Sequence, residues 1–107
     1  MNIDQVRRHA LSLPEVAEAP HHEFSSFRVR GKIFVTVAPD EAYLHIFVPE
    51  QERELALALE PAFLEKLFWG GKVRGLRVTL AQARTAVVYR LIEQAWACKA
   101  PKDLLTR

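Results

Sequence analysis

The 107-residue chain contains one cysteine, Cys98, so neither a disulfide framework nor a cysteine-based zinc cluster is open to it. A reducing compartment, the cytoplasm, is the expected home. Four glycines in the whole chain exclude a collagen-like repeat. No apolar run approaches the ~18 residues of a membrane span, and Met1–Ala10 is polar and charged, unlike a signal peptide. Neither sign of charge dominates, since 15 Lys+Arg against 13 Asp+Glu leave a formal net charge of +2. What is present is a chain 50% hydrophobic and 26% charged, sized for one domain spanning residues 1–107. Such a length buries roughly 65% of its unfolded surface and needs no staples.

Ile3, Val6, Ala10 and Leu13 recur at helical spacing, with Asp4, Gln5, Arg8 and Ser12 opposite; Asn2 can cap the start and Pro14 cannot continue the turn. The spacing predicts an amphipathic helix over Ile3–Leu13. Glu15–Glu23, with Pro20 and His21–His22, reads as a connector. The period then falls to two. Phe24–Arg30 sets Ser25, Phe27 and Val29 against Phe24, Ser26, Arg28 and Arg30, and Gly31–Lys32 signals a tight turn. Ile33–Ala38 is a β-branched run, Pro39–Asp40–Glu41 a turn, and Ala42–Val48 a third strand; together these form an antiparallel meander.

Pro49 and the acids Glu50, Glu52 and Glu54 open a second helix that runs to Glu60. Pro61 starts a short further turn of helix anchored by Phe63, Leu64 and Leu67. Phe68–Trp69 leads into the glycine-flanked basic loop Gly70–Gly75, and Leu76–Leu80 returns as a strand, giving a second hairpin. Ala81–Ala100 is the clearest helix, with Val88, Leu91, Ile92 and Ala95 as its stripe; Pro101 stops it before a short tail ending in Arg107. The order α-β3-α-β2-α predicts an α+β fold whose antiparallel sheet carries its helices on one face.

Catalytic signals are missing. No Gly-x-Ser-x-Gly elbow or Gly-x4-Gly-Lys-Ser/Thr loop occurs, and the acids occupy solvated helix positions, so the chain is read as a non-enzyme without a cofactor. Cys98, late in a helix where the dipole is negative, reads as a buried or half-buried spectator. His9, His21, His22 and His45 lack metal-ligand spacing, and adjacent His21–His22 in an extended segment diverge. The remaining chemistry is cationic. Arg28, Arg30 and Lys32 surround the first hairpin turn, and Lys72, Arg74 and Arg77 the second. Two basic, glycine-containing hairpins resemble wings, and a two-stranded ribbon fits a major groove ~12 Å wide. Phe24, Phe34 and Phe47 could instead line an open sheet face; the simpler expectation for them is core, since that face must meet three helices.

Leu11-Ser12-Leu13-Pro14-Glu15-Val16 and Ser26-Phe27-Arg28-Val29-Arg30-Gly31-Lys32-Ile33-Phe34-Val35-Thr36 resemble the MmcQ/YjbR family. So do Val48-Pro49-Glu50-Gln51-Glu52-Arg53, and Ala95-Trp96 through Ala100-Pro101-Lys102. The resemblance covers essentially the whole chain. It implies a small bacterial α+β domain with a five-stranded antiparallel sheet in the order α-β3-α-β2-α, and DNA binding through a double wing. It brings no catalytic or metal residues. One departure is Leu76 after Gly75, where such proteins usually carry an aromatic; a binding role for that aromatic is missing here unless nearby Trp69 substitutes.

The expectation is therefore a cytoplasmic module, monomeric rather than paired, that contacts the phosphates of double-stranded DNA through Arg28, Arg30, Lys32, Lys72, Arg74 and Arg77. The alternative is a protein-interaction or small-ligand domain that uses an apolar sheet face. A frataxin-like metal-handling role ranks last, because the first helix mixes Asp4 with Arg7 and Arg8.

Overall fold

Helix α1 (Ile3–Ser12) begins with the capping box that Asn2 permits. The Asn2 side chain accepts from the Gln5 amide at 3.0 Å, and the Gln5 side chain accepts from the Asn2 amide at 2.9 Å. The computed structural model describes residues 1–105, so the end of the tail, Thr106 and Arg107, lies outside the described residues. After α1 come β1 (Val16–His21), β2 (Phe24–Val29), β3 (Lys32–Val37) and β4 (Tyr43–Ile46). Helix α2 (Glu50–Leu59), β5 (Leu64–Trp69) and β6 (Lys72–Thr79) follow. A 3-10 turn at Leu80–Gln82, α3 (Thr85–Lys99) and the short α4 (Lys102–Leu105) complete the order. No helix among the described residues is long and apolar enough to cross a membrane.

The α+β class stands, but the sheet has six antiparallel strands rather than five, in the order β1-β2-β3-β4-β6-β5. The additional strand is β1, which lies in the expected connector. Its Val-Ala-Glu-Ala-Pro-His sequence has weak strand propensity, and Pro20 is tolerated because β1 is an edge strand. Side chains hold it instead. Glu18 accepts from Arg7 of α1 at 2.8 Å and from the Ser25 hydroxyl of β2 at 2.8 Å.

The second correction is β5, a strand where a turn of helix was expected. Leu64 and Leu67 lie on opposite faces of the strand, and both are buried. Their three-residue separation imitates a helical repeat. The third is the start of the last helix, which begins at Thr85, after the 3-10 turn, rather than at Ala81.

One sheet face packs under the helices. Cross-strand neighbours Phe27, Val35, Ile46 and Leu76 are all fully buried there. Val6 and Ala10 of α1, with Val88, Leu91, Ile92 and Ala95 of α3, cover that layer. A bulge in β3 leaves Phe34 unopposed in the ladder, so Phe34 and Val35 both reach full burial although they are consecutive. The last helix is fixed to the α1–β1 connection by Trp96, whose indole N–H donates to the Pro14 carbonyl at 3.0 Å.

Candidate functional site

The register places the two cationic hairpin tips at the same end of the molecule. β3 leaves the Arg30–Gly31 turn and β4 runs back toward that end, to Ile46, which pairs with Leu76 near the start of β6; the Arg30–Gly31 and Gly70–Gly71 turns therefore share one end of the sheet. Three strand spacings separate their centres, about 14 Å. The Gly70–Gly71 turn takes φ values of +58° and +80°, a left-handed pair suited to a two-residue hairpin and costly for other residues.

The six expected cations fare differently at this end. Arg30 leaves β2 with φ +47°, so it does not share the strand face of Arg28. Its guanidinium donates to both carboxylate oxygens of Glu15 at 2.9 and 2.8 Å, and to those of Asp103 at 3.2 and 2.9 Å. Glu15, then Asp103, pushes the Arg30 pKa still higher. Arg30 is thus a structural clasp between β1, β2 and α4. Arg77, in mid-strand, donates to Glu65 at 3.1 Å and lies 3.7 Å over the Tyr43 ring. Arg28 donates to the Ser26 hydroxyl at 3.0 Å and the Pro20 carbonyl at 3.1 Å. Lys32, Lys72 and Arg74 are exposed and make no ion pair among the described residues.

Arg74 owes its direction to a defect in the ladder. Leu67 pairs with Gly75 and Phe68 with Val73, so Arg74 is the extra residue of a bulge. Gly75 can sit beside it because a Cβ there would lie 2.5 Å from the Ile46 carbonyl oxygen. Released from the alternation, Arg74 reaches a pocket on the open face of the sheet, together with Lys99 from the end of α3. Sequence reasoning missed Lys99, because only the packing of α3 over β3 brings it to this end.

The open face is concave and only partly apolar. A row crosses all six strands at Ala19, Ser26, Thr36, His45, Arg77 and Glu65. Thr36 and His45 are buried within this face, with Thr36 Oγ1 and His45 Nδ1 3.2 Å apart. Burial, then the Arg77 charge, holds His45 below the ordinary histidine range. Of the three phenylalanines proposed for an open face, Phe34 is buried in the core. Phe24 and Phe47 are half-buried and face concavities of about 460 and 620 Å3. Sheet twist curls opposite corners toward each other, so His21 from β1 and Trp69 from β5 line the larger concavity together. Phe47 and Trp69 pack with ring centroids 5.3 Å apart.

His21 and His22 do not diverge as expected: His21 ends β1, His22 opens the turn with φ +57°, and their rings come within 4.7 Å, although no group of three or more metal-ligating side chains converges among the described residues. Cys98 is exposed rather than buried, because the buried stripe of α3 passes from Ala95 to Ala100.

No curated protein matches the chain. Among solved structures, the crystal structure of Deinococcus radiodurans protein DR2400, which carries a DUF419 domain, is similar. The TM-score is 0.73 at 21% identity, over 91% of this chain and 77% of that one, a likeness of fold. The YjbR family model matches residues 11–98, from the end of α1 to the last turn of α3. That span includes every strand of the sheet and both cationic hairpins: the chain belongs to the YjbR family.

Proposed function

We propose that the chain is a DNA-binding module that grips the phosphate backbone with one end of its sheet. The observation that carries this reading is the meeting of Lys32, Lys72, Arg74 and Lys99 at that end, with no ion pair among the described residues. Tips about 14 Å apart match the scale of a major groove ~12 Å wide, so each can reach a different strand's phosphates. Arg30 holds the first tip in shape through Glu15 and Asp103, Arg77 ties β6 to β5 through Glu65, and Arg28 braces β2 against β1. The contact is to phosphate, since an arginine and three lysines carry no base code by themselves. A cytoplasmic home belongs to the same reading, supported by an exposed thiol at Cys98 that an oxidising compartment would threaten.

Titration of a fluorescent blunt 20-base-pair duplex at two salt concentrations tests it. Four phosphate contacts give a log–log salt slope of about −3.6, so raising salt fourfold weakens binding about 150-fold. Arg74→Ala should reduce the slope by about one unit. No association at ~50 mM salt removes the proposal.

A further inference from the structure

The larger concavity, about 620 Å3, has the dimensions of a small-molecule site, and its chemistry is divided. One wall is apolar and aromatic, built from Ile33, Phe47 and Trp69. Trp69 packs against Phe47 yet keeps 47% of its surface exposed, a large apolar area open to a ligand. Arg74 and Lys99 line the same concavity, neither is paired with a carboxylate among the described residues, and no lining residue is acidic. His21 also lines it, and its imidazole can exchange hydrogen bonds with the edge of a heterocycle; the Thr36 hydroxyl is engaged by His45.

An aromatic corner, Trp69 with Phe47 inclined to it at 54°, beside two uncompensated cations selects a ligand that is planar at one end and anionic at the other. A wholly apolar ligand would leave Arg74 and Lys99 unused. A bare phosphate would leave Trp69 and Phe47 unused. We propose that this pocket binds a nucleoside monophosphate unit, its base stacked on Trp69 beside Phe47 and its phosphate held by Arg74 and Lys99. The site shares Arg74 and Lys99 with the duplex-binding end but goes beyond duplex binding, since its base-binding residues, Trp69 and Phe47, have no part in that reading. The unit can come from a free nucleotide or from an unpaired nucleotide at a strand end.

The two indole N–H resonances report separately, because Trp69 lines the pocket whereas Trp96 does not and has its N–H held by the Pro14 carbonyl. Adding dAMP should move the Trp69 resonance saturably and leave Trp96 in place, whereas ribose 5-phosphate should bind at least tenfold more weakly. Trp69→Ala, at an exposed position that should not compromise folding, should weaken dAMP at least fivefold, read from backbone amide shifts of Thr36. Arg74→Gln/Lys99→Gln should weaken it at least tenfold. A Trp69 signal unmoved by ~10 mM dAMP, or an affinity indifferent to the double substitution, overturns the proposal.

A second arm identifies the source. A duplex with three unpaired 3′ nucleotides that binds tighter than the blunt duplex, by a margin that Trp69→Ala abolishes, assigns the unit to a strand end. Equal binding of the two duplexes alongside saturable dAMP assigns it to the free nucleotide. Failure of the blunt duplex to bind refutes the backbone reading and leaves the dAMP result intact.

Discussion

Substitution of Gly75 by alanine puts the close approach of β4 and β6 to a direct test. The added Cβ would meet the Ile46 carbonyl oxygen at 2.5 Å, and Ile46 C and Phe47 Cα at 3.3 Å. Ordinary contact begins near 3.4 Å, so the strands must separate by nearly 1 Å where Ile46 pairs with Leu76. The opposing atoms are backbone, with no side chain to rotate away, and both strands are interior to the sheet. Overpacking of this kind costs about 2–3 kcal/mol. For a domain of this size each kcal/mol lowers Tm by roughly 4–8 °C, which puts the expected fall at about 10 °C or more by calorimetry. Gly71→Ala is the comparison. Its φ of +80° disfavours a side chain, but nothing lies within 4 Å of the new Cβ, so only the backbone term of about 1 kcal/mol applies. A Gly75→Ala melt within 2 °C of the parent, or a smaller fall than for Gly71→Ala, would refute the argument from contact.

Three other substitutions follow from the ion pairs and the buried histidine. His45 resists protonation in the fold while the unfolded chain accepts it from about pH 6.5 downward, so stability should decline as pH falls below that value. His45→Gln should flatten the dependence of the urea midpoint between pH 7.5 and 5; an unchanged slope would count against the burial of that ring. Glu18 has its carboxyl pKa lowered, first by hydrogen bonding to Arg7 and also by Ser25, so its contribution is present above about pH 4.5 and is lost as pH falls through the folded value. Glu18→Gln should cost about 0.5–1 kcal/mol at pH 7, small because the pair is partly in solvent, with the two urea midpoints converging at pH 3. Arg30→Gln should leave the salt slope of duplex binding within a few tenths of the parent's, because that guanidinium already serves Glu15 and Asp103. A loss of a full unit would instead make Arg30 a phosphate contact.

The elements legible in the sequence are those whose burial is one-sided. Phe27 and Val29 alternate with Arg28 in β2, and Val88, Leu91, Ile92 and Ala95 stripe α3, because each element meets the core on one face alone. Asn2 and Pro14 mark the limits of α1 by local chemistry that the packing does not override. β1 and β5 escape for opposite reasons. β1 is held by an inward Glu18–Arg7 pair where a hydrophobic pattern would be sought, and β5 buries Leu64 on one face and Leu67 on the other. Alternation presumes an apolar face opposite a wet one; β1 lacks the first because Glu18 points inward, and β5 lacks the second.

The candidate site was legible as residue types and illegible as geometry. Both hairpins announce their cations, yet the sequence does not separate Arg30, committed to Glu15 and Asp103, from Lys32 two positions later. Which cations remain available depends on acids 15 and 73 positions away. The pocket is further removed still. A one-residue bulge turns Arg74 out of the ladder, the twist of six strands carries His21 toward Trp69, and helix packing delivers Lys99. Each of these is a property of the assembled sheet. Gly75 links them, since the absence of its Cβ lets β6 lie against Ile46 at the point where Arg74 bulges and Phe47 leaves β4. The glycine in the basic loop is therefore read better as the packing contact that shapes the pocket than as flexibility in a wing.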